Sequence, residues 1–428
     1  MRYKDCAVDW TDNALVSRIV AKEIRRGLVW LTDESHLNAF LLYANERRAQ
    51  SHTIPALDLL IGVYEEEMEA KLNINGKSVA NAQILIAGTT GSGKTNLLAV
   101  LIQQLRNLST DTPYPVHFLL FDYKGEFSDP ANAHWLSYFD VDASCVLDPV
   151  LQPLPFTPFK DFSGKSINEI NLYSTEMANA LCAIERASIS ANMSNRLSEA
   201  IVDAYKQTQG KPITFQLILH HYQKKMAHPE KDDSVTSVLK QLIRNHLFAE
   251  EDQIDLVNEC LIIKMDSFPK DGPIAKAIVY FIISKLNVIY EQLPKQAANE
   301  EYVEIRHFTI IDEAHYMLDF DNHPLRNLIA VGRNKGLSII LATQNMDSYK
   351  SKYFDFYANA QYPLIMKQQS IADSVIKDLF GVAGKEFQEL KAAIASLRKG
   401  ELIIKDTTLS LLGLESKCYK EVQVTHLI

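Results

Sequence analysis

The sequence predicts an α/β fold in which a mostly parallel sheet is covered by helices on both faces. Short, largely apolar segments alternate along the chain with helical segments. Such largely apolar strands are typical of a parallel sheet that is buried on both sides. The parallel arrangement brings the carboxyl ends of the strands to one edge of the sheet, where α/β proteins bind their ligands. The residues that follow each strand are therefore the candidates for a functional site.

The strand predicted at 84–87 leads into a glycine-rich turn and then into an apolar helix at 96–105. The turn matches the phosphate-loop pattern G-x-x-x-x-G-K-[ST], with the strand before it and the helix after it that this motif requires. Glycines let consecutive backbone N–H groups point at a phosphate, and the helix N-terminus adds partial positive charge. We predict that Lys94 reaches the β- and γ-phosphates and that Thr95 holds Mg²⁺. The predicted nucleotide-binding residues are Gly88, Thr89, Thr90, Gly91, Ser92, Gly93, Lys94, Thr95 and Asn96.

A second apolar strand, predicted at 308–312, ends in an acidic pair and has the form of a Walker B strand. Asp312 is expected to hold the Mg²⁺ shell through water. Glu313 is expected to orient and partly deprotonate the attacking water, which hydrolysis requires and simple binding does not. The sequence lacks the N-K-x-D motif of guanine recognition, so ATP and Mg²⁺ are the expected cofactors.

Another acidic pair follows the strand predicted at 116–122. Asp122 ends this strand and Glu126 comes shortly after it, at the same edge of the sheet. These carboxylates are predicted to contact Mg²⁺-bound water, the attacking water or a neighbouring subunit. The alternative is an ordinary acidic turn.

The strand predicted at 337–343 has a polar residue on each side that can take part in phosphoryl transfer. Gln344, at its end, is predicted to bond the γ-phosphate or the attacking water, and the alternative is a polar residue that merely ends a strand. Arg333 lies in the turn before it. Because an arginine supplied in cis or in trans stabilises the transferring phosphoryl group, we predict that Arg333 completes the site of a neighbouring subunit in a ring. The alternative for Arg333 is a surface arginine at a helix end.

The chain of 428 residues divides into a predicted helical N-terminal module at 1–80 and an ATPase core at 81–428. The last helix of the module is predicted to begin at Pro55 and to end near Lys71. Within the core, residues 131–298 are predicted to form a largely helical insertion. Weaker strands are predicted at 362–366 and 401–404.

The composition excludes several classes of protein. A net charge of −9 argues against a protein that coats nucleic acid through its overall field, so a nucleic-acid contact needs a local patch. The apolar run at 275–289 is interrupted by polar residues and predicts a buried helix rather than a membrane span. The N-terminus has no apolar secretory segment and the five cysteines are scattered, so a cytoplasmic location is expected.

These motifs, in this order, resemble the HerA/FtsK superfamily of P-loop motor ATPases, most closely its HerA-like branch. The resemblance spans roughly residues 80 to 405, and the ordered set is far more specific than the phosphate loop alone. The motifs that carry it are Gly88–Thr95, Asp122-x-Lys124-Gly125-Glu126, Pro153-Leu154-Pro155-Phe156, Asp312-Glu313-Ala314-His315, Gly332-Arg333-x-Lys335-Gly336 and Ala342-Thr343-Gln344.

The resemblance implies a RecA-like core that assembles into a hexameric ring and translocates double-stranded DNA through its pore. It also implies a nuclease or other effector as partner, in DNA processing or anti-phage defence. The site it implies consists of Lys94, Thr95, Asp312 and Glu313, with Gln344 as sensor and Arg333 as the finger supplied in trans. HerA-like proteins usually begin with a small β-barrel, whereas residues 1–80 here predict helices.

Two other functions remain open on the sequence: a type IV secretion or conjugation ATPase, and a scaffold that binds ATP in order to assemble partners. A helicase with two RecA-like lobes is excluded, because the roughly hundred residues after His315 are too few for a second lobe.

Overall fold

The structure, a computed structural model, describes residues 54–65, 67–184, 189–318, 322–349, 356, 360–371, 373–405 and 419–427. The helices predicted before Pro55 lie outside this part of the chain. The strands are β1 (Asp58–Tyr64), β2 (Met68–Asn73), β3 (Ile84–Ala87), β4 (His117–Asp122), β5 (Val146–Leu147), β6 (Leu261–Lys264), β7 (His307–Ile311), β8 (Leu337–Thr343), β9 (Tyr362–Met366), β10 (Glu401–Lys405) and β11 (Tyr419–Val424). The helices are α1 (Lys94–Ser109), α2 (His134–Tyr138), α3 (Ile167–Ile184), α4 (Ala191–Gln207), α5 (Phe215–Lys224), α6 (Ser234–Asn245), α7 (Pro273–Gln292), α8 (His315–Leu318), α9 (His323–Val331), α10 (Asp373–Phe380) and α11 (Gly384–Ser396).

All eleven strands form one sheet in the order β2-β1-β11-β10-β9-β3-β8-β7-β4-β6-β5. The seven strands from β9 to β5 in this order run parallel. Strands β10, β11, β1 and β2 extend the sheet in antiparallel pairs. The predicted α/β fold with a mostly parallel sheet is confirmed.

Successive residues of the central strands alternate between two apolar cores, one on each face of the sheet. In β3, Leu85 and Ala87 belong to the larger core, while Ile84 and Ile86 belong to the smaller one. Helix α1 packs on the smaller core, and α3 to α7 pack on the larger one. Because both faces are buried, the parallel strands have no solvent-exposed face, which explains their largely apolar sequences.

Helix α7 is the long apolar segment that the sequence predicts as a buried helix, and this prediction is confirmed. Residues Ala275 to Ile283 are buried without exception. By length and composition α7 would also suffice to cross a membrane, and among the described residues it is the one helix of this kind. Core helices of globular proteins pass the same test, and α7 packs against α3 and α9 in the larger core.

The prediction of a helix from Pro55 to near Lys71 is wrong, because these residues form the hairpin of β1 and β2. A short apolar run fits the helical period and the strand period equally well, and here the partner strand decides. Strand β1 pairs with β11, far along the chain. At Gly62 a Cβ atom would lie 2.0 Å from the carbonyl oxygen of Gln423, so this close pairing requires glycine.

The described residues of the range 131–298 form six helices, α2 to α7, but they also form two strands of the central sheet. Strand β6 pairs with β4, and β5 pairs with β6. The expected helical insertion therefore omits two core strands. Strands β5 and β6 are short, and no sequence motif follows them as the phosphate loop follows β3. The division of the chain into modules stays a prediction.

Candidate nucleotide site

The phosphate loop connects β3 to α1. Gly91 and Gly93 have φ angles of +79° and +105°, which residues with a Cβ atom rarely adopt. At Gly88 a Cβ atom would lie 2.5 Å from Ser92 Oγ and 2.9 Å from Met366 Cβ. The glycines that the motif demands are thus required by the backbone itself, before any phosphate is considered.

The loop is held in place by residues far away in the sequence. The N–H of Thr89 donates to the carbonyl of Lys367, at 2.9 Å, just after β9. The N–H of Gly400, just before β10, donates to the carbonyl of Ser92, also at 2.9 Å. The loop is therefore fixed on two sides by the backbone of the sheet.

Lys94 lies inside the loop, where its side chain is buried. Its Nζ donates to the carbonyl of Gly88, and a second contact of 3.4 Å reaches the carbonyl of Thr89. Burial lowers the pKa of Lys94, and the positive charge of Lys124 lowers it further. Phosphate oxygens would replace neutral carbonyls with anionic partners for this ammonium, so the position favours an anionic ligand.

Thr95 and Asn96 form the first turn of α1 with Lys94. The side-chain amide of Asn96 donates to the carbonyl of Thr425 at 2.8 Å, and its Oδ1 accepts from the N–H of Leu427 at 3.1 Å. The Asn96 side chain therefore ties the segment after β11 to α1. Its backbone N–H is one of the groups at the helix N-terminus that have no partner within the helix.

Asp312 and Glu313 follow β7 directly and are both buried, with 3% and 0% of each residue exposed. Glu313 has a φ angle of +53°, a left-handed conformation that typically costs about 1–3 kcal/mol for a residue with a side chain. It is held there because its N–H donates to Asp312 Oδ1 at 2.9 Å and the N–H of Ala314 donates to the carbonyl of Ala342 at 2.8 Å. Backbone strain of this kind concentrates at functional sites.

Gln344 connects the phosphate loop to the acidic pair. Its Nε2 donates to Glu313 Oε1 at 2.9 Å, and its Oε1 accepts from the hydroxyl of Thr90 at 3.3 Å. The three side chains come from β8, β7 and the loop after β3, which are neighbours in the sheet. The structure thus brings together three residues that the sequence predicts for the site.

Lys124 is a site residue that sequence reasoning missed. Its Nζ lies 2.8 Å from Glu313 Oε1 and 3.6 Å from Asp312 Oδ2. The sequence shows a lysine shortly after the end of β4, but not that β4 and β7 are neighbours in the sheet. Knowing that β4 and β7 are adjacent would have assigned Lys124 to the site.

The three charges of this cluster shift one another's pKa values. Burial raises the pKa of Asp312 to about 6, although Lys124 opposes the shift. Burial also raises the pKa of Glu313, but the hydrogen bonds from Lys124 and Gln344 outweigh this and hold it below its usual value. Glu313 is therefore ionised at neutral pH, as an acceptor of a proton from water must be.

The carboxylate of Asp122 organises its own turn. It accepts hydrogen bonds from the N–H groups of Gly125, Phe127 and Ser128 at 2.9–3.0 Å and from the Ser128 hydroxyl at 2.8 Å. The alternative of an acidic turn describes it well. Glu126 is half-buried, and its negative charge opposes the lowering of the Lys94 pKa and contributes to the raised pKa of Lys124.

Arg333 lies in the short 3-10 turn Gly332–Lys335, between α9 and β8. Lys335 Nζ anchors this turn by donating to the carbonyl of Leu293, and the N–H of Gln296 donates to the carbonyl of Asn334 at 3.3 Å. The described part of the residue is its backbone. The role of Arg333 in a neighbouring subunit stays a prediction.

The residues present suit Mg²⁺. This ion prefers oxygen ligands, keeps several waters and is usually held by one or two carboxylates together with substrate phosphates. The hydroxyl of Thr95 and the carboxylate of Asp312 are donors of this kind. Among the described residues, no three His, Cys, Asp or Glu side chains are clustered to hold an ion by themselves. The nucleotide would therefore complete the coordination.

Comparison with known proteins gives one family and several related structures. Residues 60–271 match the family model described as the central domain of helicase HerA. VirB4 of Thermoanaerobacter pseudethanolicus superposes with a TM-score of 0.61 at 15% identity, over 86% of this chain and 96% of that chain. The bacterial conjugative coupling protein TrwBdeltaN70 gives a TM-score of 0.55 at 12% identity, over 89% and 91%. No curated protein matches the chain.

A further structure is that of the plasmid coupling protein TrwB in complex with ADP and Mg²⁺, with a TM-score of 0.50 at 14% identity, over 81% of this chain and 86% of that chain. At these identities the structural likeness shows the fold alone. The family match is what connects the fold to P-loop ATPases.

Proposed function

We propose that this chain, which belongs to the HerA/FtsK superfamily of P-loop ATPases, is an ATP-hydrolysing ring motor that translocates double-stranded DNA. The observation that carries the proposal is the hydrogen-bonded line from Thr90 through Gln344 to Glu313. It joins the loop that holds the phosphates to the carboxylate that activates water. A motor needs such a link, because each hydrolysis event must change the protein.

The residues divide the chemistry among themselves. Lys94 and the loop N–H groups bind the phosphates, while Thr95 and Asp312 would hold Mg²⁺. When bound, Mg²⁺ neutralises charge on the phosphates and polarises the transferring group. Glu313, buried and ionised, accepts the proton of the attacking water. Gln344 bonds Glu313 in this structure and lies within reach of the loop, so it can exchange that bond for one to water or to the γ-phosphate.

Two further arguments support a ring that acts on DNA. The turn of Arg333 is anchored to the core at both of its last residues, which suits a finger presented to another subunit. A net charge of −9 argues against binding of DNA through the overall field of the protein, so a narrow pore that concentrates a few cations is the better arrangement. We propose a nuclease or other effector as partner, in DNA processing or anti-phage defence in the cytoplasm.

A type IV secretion or conjugation ATPase is the second candidate, since the likeness to VirB4 extends over 96% of that chain. Stimulation of ATP hydrolysis by DNA separates the candidates. Linear double-stranded DNA should raise the turnover of the purified full chain severalfold, while Glu313→Gln should stay inactive with or without DNA. Nucleotide-dependent assembly without DNA stimulation would instead support an ATP-gated scaffold and overturn the motor.

Mixing two inactive variants tests the shared site. Arg333→Ala should assemble with ATP into rings that are visible by negative-stain electron microscopy, yet hydrolyse ATP poorly. Mixed with Glu313→Gln, it should recover part of the activity, because some interfaces then combine an intact Glu313 with an intact Arg333. The absence of rescue in mixed rings would contradict a role in trans.

A further inference from the structure

The turn after β4 places an ammonium group beside both acidic residues of the site. Lys124 Nζ lies 2.8 Å from Glu313 Oε1 and 3.6 Å from Asp312 Oδ2. The side chains of Glu313, Asp312 and Lys124 are 0%, 4% and 21% exposed. Two adjacent buried carboxylates are costly unless a cation compensates them. Among the described residues, Lys124 is the lysine that supplies this charge by direct ion pairs.

The position of Lys124 is enforced by its turn. The carboxylate of Asp122 accepts hydrogen bonds from the backbone N–H groups that follow it, and Gly125 adopts a φ angle of +73°. A Cβ atom at Gly125 would lie 2.8 Å from Asp266 Oδ2, so this conformation requires glycine. The buried acidic turn thus serves to present one lysine at one place.

Lys124 and Gln344 share the same oxygen of the general base. Glu313 Oε1 accepts from Gln344 Nε2 at 2.9 Å and from Lys124 Nζ at 2.8 Å. The two donors follow β8 and β4, which are the neighbours of β7 on its two sides. Together they fix the Glu313 carboxylate and leave Asp312 with one weaker ion pair.

We propose that Lys124 is a positioning residue that holds the Glu313 carboxylate and competes with Mg²⁺ for Asp312. This inference rests on the nucleotide site of the proposed function, but not on DNA as the substrate of the motor. In the absence of Mg²⁺ the ammonium balances both carboxylates. When the metal is bound, Lys124 gives up the longer contact to Asp312 and keeps the shorter one to Glu313. Lys124 therefore weakens Mg²⁺ binding while it orients the base.

The test uses two substitutions at the same position. Lys124→Met removes the charge and keeps the length of the side chain, whereas Lys124→Arg keeps the charge. Binding of a fluorescent ADP analogue to the full chain is measured as Mg²⁺ is raised. We expect Lys124→Met to lower the half-saturating Mg²⁺ concentration about tenfold, the lower end for close charge pairs, and also to lower kcat. Lys124→Arg should keep both values near those of the unmodified protein.

Lys264→Met is the matched control. Lys264 ends β6, in register with Asp122 on the neighbouring strand, and its ammonium lies 3.3 Å from Asp148 rather than in the site. Its exposed side-chain fraction of 25% is close to that of Lys124. This variant should leave the Mg²⁺ dependence unchanged. An unchanged Mg²⁺ dependence in Lys124→Met, or a Lys124→Arg variant that behaves like Lys124→Met, would overturn the proposal.

A second measurement needs neither nucleotide nor metal. Lys124→Met should lower the thermal unfolding temperature of the free protein, and it should lower it less in a Glu313→Gln background, where one of the two charges it balances is gone. Equal losses in both backgrounds overturn the ion-pair role. If the Mg²⁺ shift is found but DNA does not stimulate hydrolysis, the motor is wrong and the role of Lys124 stands. If the unmodified chain binds no ADP at any Mg²⁺ concentration, the nucleotide site itself is wrong.

Discussion

The seven parallel strands and the four antiparallel strands of the sheet contribute to the nucleotide site in different ways. The charged residues Lys94, Lys124, Asp312 and Glu313 all follow the carboxyl ends of β3, β4 and β7. The antiparallel part contributes backbone contacts: Gly400, beside β10, bonds the carbonyl of Ser92. Chemistry therefore depends on which strands run parallel, while the shape of the phosphate loop depends on chain segments that carry no chemistry.

The largest expected effect is on turnover, in the parallel part. Glu313→Gln should lower kcat about 10²- to 10⁴-fold, the usual range for the loss of a general base, while ADP binding is retained. Steady-state hydrolysis and ADP titration measure the two quantities. Retained turnover in the purified variant would mean that Glu313 is not the general base. The catalytic chemistry would then not depend on the parallel strands alone.

The next effect is on stability, in the antiparallel part. Gly62→Val should lower the free energy of unfolding by about 3 kcal/mol, because the new side chain collides with the backbone of β11. Denaturant unfolding measures this loss. Val63→Thr, at an exposed position of the same strand, is the control and should change stability by less than about 0.5 kcal/mol. Equal stability of both variants would mean that β1 does not pair with β11 as described.

A smaller effect connects stability with pH. Burial raises the pKa of Asp312 from 3.8 to about 6, so the ionised group destabilises the folded protein at neutral pH. Asp312→Asn should therefore raise the unfolding free energy at pH 7.5 by about 2 kcal/mol. This gain should decline as the pH falls through about 6, where folded Asp312 takes up a proton, and disappear below 3.8, where Asp312 is protonated in both states. Binding of ADP with Mg²⁺ should weaken in the same variant. A gain independent of pH would contradict the raised pKa.

The smallest effect tests Asn96, which the sequence predicts as a nucleotide-binding residue. Asn96→Ala removes two hydrogen bonds to Thr425 and Leu427 and should cost about 1–2 kcal/mol of stability. ADP affinity should be unchanged if the side chain serves only as this tie. A loss of affinity without a loss of stability would restore the sequence prediction for Asn96.

Much of the parallel part could be predicted from sequence. Strands β3, β4, β7, β8, β9 and β10 lie within one residue of their predicted positions, because each has a largely apolar sequence. Strands β1, β2, β5, β6 and β11 were mistaken or missed. They are short or half-exposed, and their conformation depends on partners distant in the chain.

The sequence by itself determined the phosphate loop, the acidic pair and the glutamine, because each occupies a fixed place after a strand and the motif spacing reports local backbone geometry. Only the tertiary structure decided that Asp122 closes its own turn, that Asn96 ties a distant segment, and that Lys124 joins the acidic pair. These three roles depend on which strands lie side by side. The order of the strands is set by the packing of the two cores, and no local sequence pattern reports this packing.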